Sequence, residues 1–145
     1  MAAKTKLSAM LATGALMLAG CSGVQAGGDG AEVSMAPPGG DYQAVSELTP
    51  LPDFIPGMGT LYVDPATLPA GPFLAYDREG GLVSTTYMVP LDSLNNQEAF
   101  SGLDAAPQSV DHVDMVYNAG HPGVDEPHYH IVLWHVSADE AAGLK

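Results

Sequence analysis

The stretch His128-Tyr129-His130-Ile131-Val132-Leu133-Trp134-His135-Val136 contains neither glycine nor proline, and its reading decides the fold. Its β-branched and aromatic content favours a strand. Alternate side chains of a strand share a face. His128 and His130 therefore point one way with Val132, Trp134 and Val136, while Tyr129, Ile131, Leu133 and His135 point the other. Both sets are apolar past Ile131, which predicts a central strand covered on both sides. The two histidines stand at its entrance.

Working outward, Asn118 to Pro127 reads as a loop shaped by Gly120, Pro122, Gly123 and Pro127, and it carries His121, Asp125 and Glu126. Pro127 keeps Glu126 extended, so the loop enters the strand directly. Ser109 to Tyr117 reads as the preceding strand. Upstream, Gly59 to Val63, Phe73 to Tyr76 and Leu82 to Val89 are short β-prone runs, with a hairpin turn at Asp77 to Gly81. Pro50, Pro52, Pro56, Pro65, Pro69 and Pro72 break any helix between them. Helix signals are confined to two places. One is Asp92 or Ser93 as a cap for a short helix through Phe100; the other is Ser137 as N-cap with Asp139 and Glu140 in the first turn. The expected fold is mainly β, a small antiparallel sandwich or open barrel with one or two short helices.

The N-terminus reads as an address. Lys4 and Lys6 precede an uncharged apolar run, Leu7 to Leu18, too short to span a bilayer comfortably. It ends in Leu18-Ala19-Gly20-Cys21, which resembles the bacterial lipobox, and Cys21 is the only cysteine in the chain. The resemblance implies a signal peptide over 1–20 and lipidation of Cys21. Ser22, rather than an aspartate, then points to the outer membrane, facing the periplasm. Residues 21–40, rich in Gly, Ala, Ser and Pro, read as the lipidated cysteine and a flexible tether. Residues 41–145 are long enough for a single β-rich domain.

Without the signal peptide only Arg78 and Lys145 oppose seventeen acidic residues, a formal charge near −15. Such a chain repels phosphate backbones, which excludes nucleic acid as a partner. It also repels anionic headgroups, so the lipid on Cys21 supplies the membrane attachment. With Cys21 acylated, no thiol is left for disulfides or thiolate ligands. Homo-oligomerisation or an envelope protein partner stays open.

Four of the five histidines fall between Gly120 and Val136. His128 and His130 lie about 6–7 Å apart along one strand face, within reach of one metal ion. The preceding loop is long enough to fold His121 back onto them. Three neutral imidazoles suit Zn²⁺ or Cu²⁺; an added carboxylate suits Mn²⁺ or Fe²⁺. The candidate ligands are therefore His121, His128 and His130, with Glu126 or Asp125 as an extra donor. His112 is a weaker candidate because a one-residue slip in strand register turns it to the other face. His135 falls on the wrong face by parity and reads as a hydrogen-bonding strand residue. Few positions are left for a substrate pocket, which favours a bound or structural metal over catalysis. A cupin-like metal-dependent enzyme is the weaker alternative, because Leu133, Trp134 and His135 stand where a cupin carries a glutamate after His-x-His. No G-x-S-x-G nucleophile elbow occurs. A third reading has no metal: an envelope interaction module whose histidines bond loop to strand.

Tyr117-Asn118-Ala119-Gly120-His121-Pro122, followed by Pro127-His128-Tyr129, resembles an uncharacterised family of exported bacterial proteins. Its members carry W-N-x-x-G-H-x-P and then P-H-F-D-x-H-F-Y. Gly120, His121, Pro127 and His128 match; Tyr129 stands for the Phe and Trp134 for the Tyr. His130 replaces the family's Asp and Val132 its second strand histidine. The resemblance implies a site around His121 and His128 and no particular reaction.

Overall fold

A computed structural model describes residues 33–145; the expected signal peptide and Cys21 lie outside them. The described chain builds one six-stranded sheet, antiparallel throughout, in the order β1-β2-β3-β4-β6-β5. The strands are β1 (Gln43–Ala44), β2 (Thr60–Val63), β3 (Phe73–Tyr76), β4 (Leu82–Pro90), β5 (His112–Asn118) and β6 (His128–Trp134). Three short helices accompany them: α1 (Val45–Leu48), α2 (Leu91–Asn95) and α3 (Ala138–Ala142). The mainly β, antiparallel expectation holds. The sheet is open, with β1 and β5 as its edges, and it is not closed into a barrel. What covers it is irregular chain rather than a second sheet, because the segment between β1 and β2 carries Pro50, Pro52 and Pro56 and cannot supply ladder hydrogen bonds throughout.

The spine is β4, in which every residue from Leu82 to Val89 is buried. On the front face Leu61, Val63, Phe73, Ala75 and Met88 pack against Val45, with Leu51, Ile55 and Met58 from the proline-rich segment over them. On the back face Leu74, Tyr76 and Leu82 pack against Val33, Ala36, Tyr42 and Ala106. Burying Leu74 and Val63, each 1% exposed, contributes about 2 kcal/mol apiece. A β-bulge lies between Ala75 and Tyr76, where the register passes from Ser84 to Leu82. It leaves Val83 without a partner on β3 and lets it join the front core while Leu82 serves the back.

The hairpin turn predicted at Asp77 to Gly81 forms, with the Asp77 carboxylate accepting from the Gly81 N–H at 2.7 Å. Residues 33–36, assigned to the tether by composition, lie against this turn. The Ala36 N–H donates to the Gly80 carbonyl at 2.8 Å, and the Tyr76 hydroxyl donates to the Val33 carbonyl at 2.7 Å. The first predicted helix is shifted. It begins at Leu91 behind Pro90, with no side-chain cap, and stops before Gln97, whose φ of 58° no helix accommodates. The second is as expected: Ser137 caps α3 and forms a capping box with Glu140. Ser137→Ala removes the hydroxyl half of that box and leaves the Ser137 N–H bond to the Glu140 carboxylate. It should cost about 1 kcal/mol, read as a lowered urea midpoint with unchanged slope.

Strand β6 lies one place in from the sheet edge, between β4 and β5. It is therefore less enclosed than its apolar sequence predicts: Ile131 and Leu133 are only partly buried.

Candidate metal centre

The register settles the position of each histidine. On β6, His128 stands opposite Pro90 and Asn118, and His130 opposite Met88 and Val116. His112 pairs with Trp134, at the far end of β6. It shares the face of His128 and His130 but stands four residues, about 13 Å, from His130. There it stacks on the Trp134 ring, with centroids 5.9 Å apart and an interplanar angle of 17°, and its Nδ1 lies 2.9 Å from the Asp111 carboxylate. His112 is thus not part of the cluster. Neither is His135, whose Nδ1–H donates to the Ser109 carbonyl at 2.9 Å while its Nε2 accepts from the Thr85 hydroxyl at 2.9 Å. The parity argument for His135 agrees with this placement.

His121 is brought in by the loop. At its start the Asn118 side-chain oxygen accepts from the Gly120 N–H at 2.9 Å. Gly120 has φ +128°, and a Cβ there would sit 2.8 Å from the Asp125 carbonyl oxygen, so only glycine lets the two arms of the loop approach this closely. His121 and Val124 then exchange both backbone hydrogen bonds, each 2.9 Å, around Pro122 and Gly123. Proline fixes the first corner, and Gly123, at φ +93°, takes the second corner of a type II turn. The His121 ring comes to rest against both strand histidines, with its centroid 4.9 Å from that of His128 and 5.6 Å from that of His130.

The three imidazoles offer ligand atoms that all lie within 4.8 Å of one another. His128 and His130 face each other through their Nε2 atoms, 3.0 Å apart, close to the roughly 3.3 Å expected of two nitrogens on one tetrahedral zinc ion. His128, 1% exposed, donates its Nδ1–H to the Glu126 carbonyl at 2.6 Å. That bond fixes the tautomer and turns the Nε2 lone pair inward, as a carbonyl behind a metal-ligating histidine does. His121 is held in the same sense, with Nδ1 3.2 Å from the Pro122 carbonyl oxygen. Glu126 therefore supplies its backbone carbonyl, while the residue is exposed and its carboxylate is not in the cluster. Asp125 is exposed and also stays out of the cluster. Three neighbouring histidines of this kind can hold a metal ion.

Burial first, then the neighbouring His128 and His121, lower the pKa of His130 to about 4. Its ring is neutral at pH 7 and needs no deprotonation before it can bind a metal. In the unfolded chain the same side chain titrates near 6.5. Between about pH 6.5 and 4 the unfolded state therefore binds the extra proton, and stability falls as pH falls. Urea titrations of metal-free protein at pH 7, 5.5 and 4.5 should show this loss. His130→Asn should flatten the profile in that window.

The sequence left little room for a pocket, yet the structure has one. A cavity of about 240 Å³ lies on the front face, under the Val45 to Met58 segment. Leu61, Val63, Phe73 and Met88 form part of its wall on the sheet side, and His121 and His130 close one end. Val45, Leu48, Leu51, Ile55 and Met58 also line it and do not stand out as pocket residues in the sequence. Their apolar spacing of three or four is visible in the sequence, but the prolines among them hid it.

Fold and site together define an open-sheet β-protein with a three-histidine centre at the end of an apolar pocket. The chain is similar to a hypothetical protein from Thermus thermophilus of known crystal structure, with 51% identity over 65% of this chain and 86% of that one and a TM-score of 0.59. It belongs to the same family as that protein. No family model and no curated protein matches it.

Proposed function

We propose that this protein is a cell-envelope lipoprotein, anchored through Cys21 at the outer membrane, whose His121, His128 and His130 bind a transition metal, Zn²⁺ or Cu²⁺. The observation that carries the metal reading is the convergence of three imidazoles within 4.8 Å, with the Nε2 of His128 turned inward by the Glu126 carbonyl. An all-nitrogen donor set favours these ions over Mg²⁺ or Ca²⁺, which take oxygen ligands. A bound metal fits better than a catalytic one, since no carboxylate that could serve as general base joins the cluster among the described residues, and three histidines leave one tetrahedral position open. If metal-dependent chemistry does occur, the metal would supply Lewis acidity. His121 and His130, which border the pocket, would then orient what enters. Mass spectrometry of metal in untagged protein tests the reading. One equivalent per chain, lost in His128→Ala/His130→Ala, supports it; protein that takes up no metal at all overturns it. The lipid anchor is tested separately, by the mass of the mature N-terminus and its loss of acyl groups in Cys21→Ser.

A specific observation favours a second reading, an interaction module. Edge strand β5 exposes Val113 (55%), Met115 (64%) and Tyr117 (52%) on one face and Val116 (51%) on the other. An uncovered apolar edge strand is a template for pairing with another chain. The partner inferred is a second copy, joined edge to edge through β5. Sedimentation should find a dimer that dissociates in Met115→Lys, and a monomer at about 100 µM would rule it out.

A further inference from the structure

The pocket has one polar end and an otherwise apolar wall. Thr49 donates its hydroxyl to the Val45 carbonyl at 2.9 Å, and the Asn118 side-chain oxygen is taken by the Gly120 N–H at 2.9 Å. Both lining groups are thus already occupied. His121 and His130 remain, and Thr86 stands beside them, next to Met88 on the same face of β4. The rest of the lining is hydrocarbon and thioether: Leu48, Leu51, Ile55 and Met58 in the covering segment, and Leu61 and Val63 on β2, three strands from β6.

The dimensions are those of one chain-like molecule. From His130 on β6 to Leu61 and Val63 on β2 the cavity crosses β4 and β3, three strand spacings or about 14 Å. A volume of about 240 Å³ spread over that length is narrow, about one alkyl chain wide. It also exceeds the roughly 150 Å³ cavity that holds a benzene molecule.

Charge selects the head group. The acidic domain as a whole repels anions. A carboxylate placed against neutral imidazoles would lose its hydration with nothing in return. A divalent cation on the three histidines reverses that balance locally, because two positive charges meet an oxygen donor in the metal's remaining coordination position. We infer that the pocket binds a medium-chain aliphatic carboxylate of about eight to ten carbons, its chain across β4 and β3 and its head on the metal held by His121, His128 and His130. This inference rests on the metal reading above and adds the ligand class.

The test is calorimetric titration of decanoate, 1-decanol and acetate into the purified full chain, zinc-loaded and zinc-free, with metal content measured on the same samples. The expected result is micromolar decanoate binding to the zinc-loaded protein, at least tenfold weaker binding without zinc, and weaker binding of decanol and acetate than of decanoate. Leu51→Trp and Met58→Trp, both in the covering segment rather than the sheet, should each block decanoate and leave zinc uptake intact. Zinc uptake without zinc-dependent decanoate binding overturns the inference and leaves the metal reading standing, as does equal binding of decanol and decanoate. Protein that takes up no zinc overturns both, and metal analysis alone shows it.

Discussion

Zinc added to the metal-free protein should raise its melting temperature by about 10 °C. Free metal at a hundred times Kd stabilises the folded state by about 2.7 kcal/mol. In a domain of this size each kcal/mol is worth about 4 °C. The effect is expected because His128 and His130 are already in place, with Nε2 atoms 3.0 Å apart, so little ordering is needed on binding. Only His121, on its turn, has to move inward. Removing that third ligand with His121→Ala should weaken binding about 100-fold and leave a rise of 1–2 °C at the same zinc concentration. His121→Ala is the informative variant because its side chain is partly exposed, whereas truncating His128 also opens a hole in the core and strips the Glu126 carbonyl of its donor. Magnesium at equal concentration should produce no rise. Differential scanning calorimetry measures all of these, and an unshifted transition in the presence of zinc would remove the metal from the proposal.

The second large effect is expected at a residue outside the centre. Gly59→Ala should destabilise the fold by about 3 kcal/mol or more. Gly59 has φ +102°, and a Cβ there would lie 2.3 Å from the Tyr76 carbonyl oxygen and 3.1 Å from its carbon. Both atoms are backbone, on a strand fixed from both sides by β2 and β4, so the neighbour cannot step aside. The Gly59 N–H also donates to the Ile55 carbonyl at 2.8 Å, which closes the segment that roofs the pocket. Relaxing the clash therefore either displaces β2 or opens the roof. Equilibrium urea unfolding gives the stability. A wild-type midpoint in Gly59→Ala would mean that this close approach does not exist in solution.

The fold was most legible where local chemistry and burial agree. Phe73 to Tyr76 matches the bounds of β3, Leu82 to Val89 differs from β4 only at Pro90, and Ser137 caps the helix that its sequence predicts. The histidine centre was legible by parity within β6 and by the glycine and proline content of the loop, which together brought out His121, His128 and His130. Two things were not legible. The register of β5 against β6 depends on how far the loop folds back. That distance is set by the Asn118 to Gly120 hydrogen bond and the Gly120 to Asp125 contact, and only the register separates His112 from the site. The pocket roof failed for a different reason. Val45 to Met58 keeps a helix-like apolar spacing with prolines that forbid a long helix, so its apolar face is presented by one turn of helix followed by loops. Periodicity and backbone rules pointed opposite ways, and tertiary packing decided between them.

The sheet acts as a partition between the route by which the chain enters the domain and the mouth of its cavity. Val33 and Ala36 pack on the back face, against Tyr76 and Leu82, whereas the cavity and its histidines occupy the front. Were the chain held at a bilayer through Cys21 as proposed, its anchored end would join the domain on the face opposite the cavity, and attachment would not compete with a ligand for the front of the sheet.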